Sequence, residues 1–311
     1  MARAVILDAD TVTSGDVSLE PLTSLVDTKV FGFTSPDEIA SNIGDAEIVL
    51  TNKCRITEEV FEKCPGLKFI GLFATGYNNI EIEAARRHSC VVANVPGYSS
   101  DAVAQHTFAL ILNHSSKIHE YNDYVQSGNW GKSKLFTHFE IPLNELSGKT
   151  IGIIGYGAIG KSVAKIAMAF NMKVLVYTRT GPSNTLEEVL KGSDIVTLHC
   201  PLNDGTKELI NAETLSMMKP TAMLVNTSRG GVINERDLAE ALKTGKIAFA
   251  AIDVLTTEPI SPDCPLLGLP NCVITPHVAW APIETRVRLI GLVRDNIRAY
   301  LNGSPINNVA G

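Results

Sequence analysis

Residues 150–160 constrain the fold of this chain more than any other stretch. Their sequence, TIGIIGYGAIG, predicts a buried β-strand that runs directly into the pattern Gly155-x-Gly157-x-x-Gly160. In such a turn the first glycine allows tight backbone geometry, the second lets the backbone approach a pyrophosphate, and the third lets the next helix pack on the strand. The N-terminus of that helix offers unpaired N–H groups to the phosphates. We therefore predict a dinucleotide-binding unit here.

Short apolar runs alternate with segments of helical length along the whole chain, which predicts repeated βα units and parallel sheets. In the second half the predicted strands are 150–154, 174–177, 195–198, 223–226, 249–253 and 273–275. Six strands fit the two halves of a Rossmann sheet. The residues before the glycine loop hold a strand set of their own, at 4–7, 29–33, 48–51, 67–73 and 91–95. The late position of the glycine loop therefore predicts a separate α/β domain in front of it.

Two predicted helices mark the boundaries between these domains. Residues 98–101 are typical of a helix N-cap, and a long helical stretch follows them. From Pro282 onward, apolar residues recur at the spacing of an amphipathic helix. We expect this last helix to return to the first domain, which makes that domain discontinuous. The predicted division is residues 1–99 with helix 284–311 for the first domain, and residues 100–283 for the Rossmann domain.

Composition and charge argue against several classes of protein. With 45% hydrophobic and 19% charged residues the chain is expected to be globular, and its net charge of −6 argues against binding to nucleic acid or to an anionic membrane. No apolar run approaches the roughly 20 residues that span a bilayer, and the N-terminus does not resemble a signal peptide. The six cysteines are scattered and form no cluster with histidine. We therefore expect reduced thiols, a cytoplasmic location and no bound metal ion.

The choice of dinucleotide depends on the residues that follow the second Rossmann strand. NAD-binding sites usually carry an acidic residue there for the ribose hydroxyls, but this chain has Thr178, Arg179 and Thr180. Arg179 can bind a 2′-phosphate with the two threonines as hydrogen-bond donors. Alternatively, Arg179 is an ordinary arginine of a solvated loop. We predict that NADP(H) is favoured and that NAD(H) is possible.

Three later strand ends present an arginine, a glutamate and a histidine in turn. Arg229 follows the predicted strand 223–226, Glu258 comes soon after the strand that ends at Asp253, and His277 follows the last strand. Ligands of open α/β sheets bind at the carboxyl ends of the strands, and a guanidinium suits a carboxylate. Each of these residues alone is ordinary, but together they predict a catalytic site beside the dinucleotide.

These segments resemble the D-isomer-specific 2-hydroxyacid dehydrogenase family over essentially the whole chain. The matching segments are 155–160, 199–202, 226–230, 253–254, 258–259 and 276–277. Within the family the chain is most similar to the hydroxypyruvate and glyoxylate reductases, also called glycerate dehydrogenases, through residues 51–53, 73–80 and 277–281. The resemblance implies a Rossmann domain plus a discontinuous flavodoxin-like substrate domain, an active site in the interdomain cleft, and a homodimer formed through the long helix of the cofactor domain.

The resemblance also implies roles for individual residues. His277 would be the general acid in reduction, Glu258 would orient its imidazole, and Arg229 would bind the substrate carboxylate and help to polarise the carbonyl. Asp253 would accept a hydrogen bond from the nicotinamide carboxamide. The implied cofactor contacts are Gly155, Gly157, Ala158, Ile159, Gly160, Thr178, Arg179, Thr180, His199, Cys200, Pro201, Thr206, Thr227, Ser228, Arg229, Asp253, His277 and Ala279.

On the substrate side, the backbone N–H groups of Thr75, Gly76 and Tyr77 would complete binding of the carboxylate, together with Arg229 and His277. Lys53 either adds a positive charge there or is a surface lysine. Trp280 stands where many relatives carry a small residue, so its bulk either narrows the pocket toward small substrates or anchors an interface. The histidines of the long helix, His106 and His114, are expected to be structural or interface groups.

The predicted activity is reduction of a small 2-oxo acid, hydroxypyruvate or glyoxylate, to the D-2-hydroxy acid with NAD(P)H. A D-lactate or phosphoglycerate dehydrogenase is one alternative, although phosphoglycerate would need cations beyond Arg229 and Lys53. The other alternative is a non-catalytic NAD(H)-sensing protein on the same scaffold. We expect no partner-binding tail after the last helix, which favours the enzyme.

Overall fold

The computed structural model describes residues 3–179, 181 and 183–311, and the chain divides into two compact units. One unit comprises the chain up to Ser99 together with Ala281–Gly311, and the other is Ser100–Trp280. Each unit contains one parallel β-sheet. Within the described residues, no helix is long and apolar enough to cross a membrane.

The sheet of the first unit has the strand order β2-β1-β3-β4-β5, and all its described pairings are parallel. This is the order of flavodoxin-like sheets, whose ligand site lies between the ends of the first and third strands. The strands are β1 Arg3–Ile6, β2 Asp27–Val30, β3 Ile48–Thr51, β4 Phe69–Leu72 and β5 Val91–Ala93. The helices among them are α1 Glu20–Thr23, α2 Ile39–Ile43, α3 Glu58–Lys63 and α4 Ile82–Arg87.

Strand β2 begins two residues earlier than the predicted strand 29–33. It lies at the edge of the sheet, where Asp27 pairs with Arg3 and Val30 pairs with Ile6. Most of its residues are exposed. Hydrophobicity therefore does not mark the start of an edge strand, whereas the buried strands β3 and β4 read as continuous apolar runs.

The second unit holds a six-stranded parallel sheet in the order β11-β10-β9-β8-β6-β7. The strands are β6 Thr150–Ile154, β7 Lys173–Tyr177, β8 Ile195–Leu198, β9 Met223–Asn226, β10 Phe249–Ile252 and β11 Cys272–Ile274. The helices are α5 Ser100–Ser116, α6 Ile118–Gln126, α7 Ala158–Ala169, α8 Leu186–Gly192, α9 Ala212–Ser216 and α10 Glu235–Lys243. The chain runs from β6 to β7 and then returns to β8 on the other side of β6. This reversal makes the carboxyl ends of β6 and β8 the expected ligand crevice.

Helices cover the hydrophobic faces of the second sheet. Helix α5 packs Phe108 and Ile111 into the same buried cluster as Ile151 and Val225. This packing anchors α5 against the strands whose ends carry the predicted catalytic residues.

The last helix, α11 Ile283–Leu301, packs within the first unit. The ring of Tyr300 lies 4.8 Å from that of Phe69 in β4, and its hydroxyl donates to Glu47 at 2.6 Å. The buried side chain of Asn296 donates to the carbonyl of Asn94 at 2.9 Å. Aromatic packing and a satisfied buried amide therefore hold this helix on the first sheet.

Candidate active site

The glycine loop after β6 has a geometry that glycine alone satisfies at two positions. Gly155 has φ +96°, and a Cβ there would lie 2.5 Å from the carbonyl oxygen of His199. A Cβ on Gly160 would lie 2.2 Å from the oxygen of Gly155. At Gly157, the N-cap residue of α7, no described atom lies within 4 Å of the position of a Cβ. That open space at a helix N-terminus fits a dinucleotide pyrophosphate.

A cleft of about 250 Å³ opens beside the glycine loop. Its wall includes eight of the predicted cofactor residues: Gly155, Gly157, Thr178, Arg179, His199, Cys200, Pro201 and Thr206. Thr180 lies outside the described residues. Thr206 fixes the turn on one side of the cleft, because its hydroxyl donates to the oxygen of Pro201 at 2.6 Å and accepts the N–H of Asn203 at 2.9 Å.

Gly205, which the sequence analysis missed, belongs to the same turn. A Cβ on Gly205 would lie 2.8 Å from Nη1 of Arg179. The guanidinium of Arg179 therefore lies over this turn, in the space that a larger residue at position 205 would fill.

His199 contributes a neutral ring to the cleft. Its Nε2 lies 2.9 Å from Oγ1 of Thr197, and its Nδ1 has no partner among the described residues. Burial lowers the pKa of His199 to about 3. Among the residues described in the wall of the cleft, Arg179 carries a positive charge, and the N-terminus of α7 adds the positive end of its helix dipole.

Arg229 is carried by a rigid turn after β9. The side-chain oxygen of Asn226 accepts the N–H and the hydroxyl of Ser228 at 3.0 and 2.8 Å, and its amide donates to the oxygen of Arg229 at 2.9 Å. A Cβ on Gly230 would lie 1.9 Å from the backbone carbon of Leu255, so only glycine fits there. Asn226 is a second residue that the sequence analysis missed. The signal for it was an asparagine at the end of a buried strand, where an Asx turn is common.

A histidine–carboxylate pair follows β10 and β11. Nδ1 of His277 lies 2.7 Å from Oε2 of Glu258, and Oε1 of Glu258 accepts the N–H of Leu255 at 2.9 Å. The two side chains of the pair are 25% and 33% exposed. Because Glu258 engages Nδ1, a substrate would meet the other ring nitrogen, Nε2.

The buried carboxylate of Asp253 holds the loop that carries His277. Its Oδ1 accepts the N–H of Val278 at 3.0 Å and the hydroxyl of Thr275 at 2.5 Å, and its Oδ2 accepts the N–H of Ala279 at 2.9 Å. The backbone N–H of His277 donates to the oxygen of Asp253 at 2.8 Å. His277 itself has φ +54°, a value that non-glycine residues rarely adopt. These contacts fix the ring of His277 through its backbone.

Thr227 and Trp280, two further predicted residues, also lie in the second unit. The hydroxyl of Thr227 lies 3.2 Å from that of Thr107 in α5. Trp280 is the last residue of this unit and is partly buried.

The predicted substrate residues of the first unit follow two adjacent strands, with Lys53 after β3 and Thr75–Tyr77 after β4. The buried carboxylate of Asp8, after β1, fixes the Lys53 loop by accepting the N–H groups of Asn52, Lys53 and Cys54 at 2.9, 2.6 and 3.2 Å. Thr75 is held by hydrogen bonds to Val95 and from Asn94, both at 2.7 Å. Asp8 is a third residue that the sequence analysis missed.

Comparisons with known proteins all point to one family of dehydrogenases. Residues 108–279 match the family described as D-isomer specific 2-hydroxyacid dehydrogenase, NAD binding domain. Hydroxypyruvate reductase of Blautia hydrogenotrophica is 42% identical over 99% of each chain. D-lactate dehydrogenase of Aquifex aeolicus, solved with NAD and lactic acid, has a TM-score of 0.87 at 29% identity over 99% of each chain.

A second solved structure is that of an NADPH-dependent glyoxylate/hydroxypyruvate reductase of Sinorhizobium meliloti, in complex with NADP and malonate. It has a TM-score of 0.85 at 26% identity, over 99% of this chain and 97% of its own. These likenesses extend over both units and confirm the predicted α/β fold class, a Rossmann domain with a second α/β domain.

Proposed function

Because the chain belongs to the D-isomer-specific 2-hydroxyacid dehydrogenase family, we propose that it reduces hydroxypyruvate or glyoxylate to the D-2-hydroxy acid. Membership makes the chain an oxidoreductase that uses a nicotinamide cofactor. The observation that carries the proposal is the contact of 2.7 Å between His277 and Glu258. Arg229, Glu258 and His277 follow the adjacent strands β9, β10 and β11 of one parallel sheet, so all three lie at its carboxyl edge.

Each of these residues has a chemical task in the proposed reaction. The nicotinamide cofactor supplies the hydride when bound. Nε2 of His277 donates a proton to the carbonyl oxygen that becomes the hydroxyl of the product. Glu258 holds the ring through Nδ1 and so orients Nε2 toward the substrate. Arg229 binds the substrate carboxylate through its planar guanidinium.

We further propose that Lys53 and the backbone N–H groups of Thr75–Tyr77 bind the substrate carboxylate. The loop around Asp8 supports this proposal, because the Asp8 carboxylate fixes the backbone of Lys53 by accepting its N–H at 2.6 Å. A small 2-oxo acid needs cationic and N–H partners for one carboxylate, and these residues supply both. Trp280 is proposed to restrict the site to small substrates.

NADPH is the proposed preferred cofactor, with NADH also used. Thr178 and Arg179, which directly follow β7, supply no carboxylate to bind ribose hydroxyls or to repel a 2′-phosphate. Arg179 lies in the wall of the cleft and supplies a positive charge there. The similar solved structures include one complex with NAD and one with NADP.

The active protein is proposed to be a cytoplasmic homodimer. Within residues 118–143, the side chains of Phe136 and Phe139 are 90% and 82% exposed, and Ile118 and Leu135 are also largely exposed. Exposed apolar patches of this kind mark interaction sites. All six cysteines, which lie within the described residues, are free thiols, as is usual in a reducing compartment. Light scattering of the purified protein and of the F136E/F139E variant tests the dimer, and a wild-type monomer would refute it.

Steady-state kinetics tests the proposed activity. Glyoxylate, hydroxypyruvate, pyruvate and 3-phosphohydroxypyruvate are each supplied with NADPH and with NADH. We expect the highest kcat/KM for hydroxypyruvate or glyoxylate with NADPH. A preference for pyruvate or for the phosphorylated acid would favour the lactate or phosphoglycerate alternative. Failure to oxidise either cofactor with every acid would favour a sensing protein.

A further inference from the structure

His106 lies against the carboxylate that holds the catalytic loop. It belongs to helix α5, and its Nε2 is 3.2 Å from Oγ1 of Thr275 and 3.5 Å from Oδ1 of Asp253. The side chain of Asp253 is fully buried, and that of His106 is 22% exposed. The ring thus faces the catalytic loop of its own chain, rather than only packing in the core or at an interface.

The chemistry of the three groups fixes the direction of their hydrogen bonds. An ionised carboxylate can only accept, so the single hydroxyl proton of Thr275 lies on its contact of 2.5 Å with Oδ1 of Asp253. The oxygen of Thr275 is then left to accept, and its donor is Nε2–H of His106. Donation therefore runs from His106 to Thr275 and from Thr275 to Asp253.

This arrangement treats the two oxygens of Asp253 differently. Oδ1 accepts from Thr275 and from the N–H of Val278, whereas Oδ2 accepts only from Ala279 among the described residues. A carboxylate oxygen has about two acceptor sites. Oδ2 therefore keeps one acceptor site for a ligand, while Oδ1 is filled.

We propose that His106 is a positioning residue, which acts through Thr275 to fix the Asp253 carboxylate with Oδ2 presented to the nicotinamide carboxamide. This inference rests on the proposed function, because it takes Asp253 as the acceptor for the carboxamide. Without the His106 donor, the hydroxyl of Thr275 keeps its bond to Oδ1 but is no longer oriented from its other side, so the carboxylate is held less firmly. The loss affects the nicotinamide end of the cofactor, whereas the adenosine end is bound by other residues.

The test compares whole cofactors with fragments that lack nicotinamide. Calorimetry measures binding of NADPH and NADH, and of 2′-phospho-ADP-ribose and ADP-ribose, to the wild type and to H106L, H106Q, T275V and T275S. We expect H106L and T275V to weaken binding of the whole cofactor about fivefold, the effect of one hydrogen bond, and fragment binding to stay within about twofold. H106Q and T275S keep a donor or a hydroxyl at the same place and are expected to bind like the wild type. The double variant H106L/T275V is expected to bind no more weakly than T275V.

His114→Leu is the matched control on the same helix. Its ring stacks on Phe249 with centroids 4.0 Å apart and is not within hydrogen-bond reach of Asp253, so H114L is expected to leave binding of cofactor and fragment unchanged. Equal weakening of binding of cofactor and fragment by H106L, or unchanged cofactor binding in both H106L and T275V, would overturn the proposal.

If H106L fails to fold, the comparison of T275V with T275S tests the proposal in its place. Binding is measured without a 2-oxo acid, so a protein that reduces none of these acids would refute the proposed function and leave this test intact.

Discussion

Nδ1 of His277 and Oε2 of Glu258 lie 2.7 Å apart. The carboxylate of Glu258 is held on its other side by the N–H of Leu255 at 2.9 Å. An acceptor fixed in this way orients the imidazole, so that Nε2 is the ring nitrogen left for a substrate. The proposed chemistry of the candidate site follows from this pair.

Glu258→Gln removes the charge of this pair and keeps its shape. We expect kcat for reduction to fall by about tenfold or more, because a neutral amide oxygen accepts a weaker hydrogen bond from Nδ1 than a carboxylate does, a difference of about 1.4 kcal/mol. The KM for NADPH is expected to stay unchanged. Glu235→Gln is the matched control, because Glu235 also holds this loop, through the N–H of Thr256 at 2.6 Å, without touching His277. An equal loss of kcat in both variants would show that the carboxylates act only by holding the loop.

Arg179→Ala tests the choice of cofactor. We expect the ratio of kcat/KM for NADPH to that for NADH to fall by about tenfold or more, because a charged hydrogen bond contributes about 1.5–3 kcal/mol. Gly205→Ala is expected to act in the same direction but less, since its Cβ displaces only the flexible end of Arg179. Kinetics with both cofactors measures the ratio, and an unchanged ratio in Arg179→Ala would rule out binding of a 2′-phosphate by this residue.

Asp8→Asn tests the loop that carries Lys53. The buried carboxylate accepts three backbone N–H groups, and an amide cannot satisfy all of them, so we expect the free energy of unfolding to fall by about 1–3 kcal/mol. The KM for the 2-oxo acid is expected to rise while that for NADPH does not. Lys53→Met is expected to raise the same KM without changing the urea unfolding curve. An unchanged KM in Lys53→Met would remove Lys53 from the substrate contacts.

Stability is expected to fall as the pH drops from about 6.5 toward 4. Burial lowers the pKa of His199 to about 3, and burial with the nearby Lys117 ammonium lowers that of His114 to about 4. An unfolded histidine has a pKa near 6.5, so between these values the unfolded chain binds protons that the folded chain does not. Stability then decreases with acidification, by up to about 1.4 kcal/mol per pH unit for each ring that stays neutral in the folded chain. Urea unfolding at several pH values measures the slope. His114→Leu is expected to reduce this slope, and a stability that rises between pH 7 and 5 would contradict the account.

Local chemistry explains which features could be predicted from the sequence. The glycine pattern 155–160 is informative because positive φ and close backbone contacts require glycine wherever they occur. Strands β3, β6, β8 and β9 match their predicted bounds because they are buried on both faces and consist of continuous apolar runs. The edge strand β2 has no such pattern, and its predicted bounds, 29–33, begin two residues and end three residues after the observed ones.

Several contacts of the candidate site join residues that are distant in the sequence, unlike the local turn of Asn226. Asp8 and Asn52 are 44 residues apart, and His106 and Thr275 are 169 residues apart. Periodicity and motif spacing describe neighbours along the chain, so neither can pair these groups. Gly205 likewise becomes significant only when folding brings Arg179 over its turn.

The proposed role of His277 as general acid is tested most directly by a single-turnover measurement on His277→Gln. NADPH oxidation by hydroxypyruvate is followed in the variant and in the wild type, and the dissociation constant of NADPH is measured on the same samples. We predict that the rate constant falls by about a hundredfold or more, as for loss of a general acid, while NADPH binding stays within about twofold. A rate constant close to that of the wild type, or a loss of NADPH affinity as large as the loss of rate, would contradict this role.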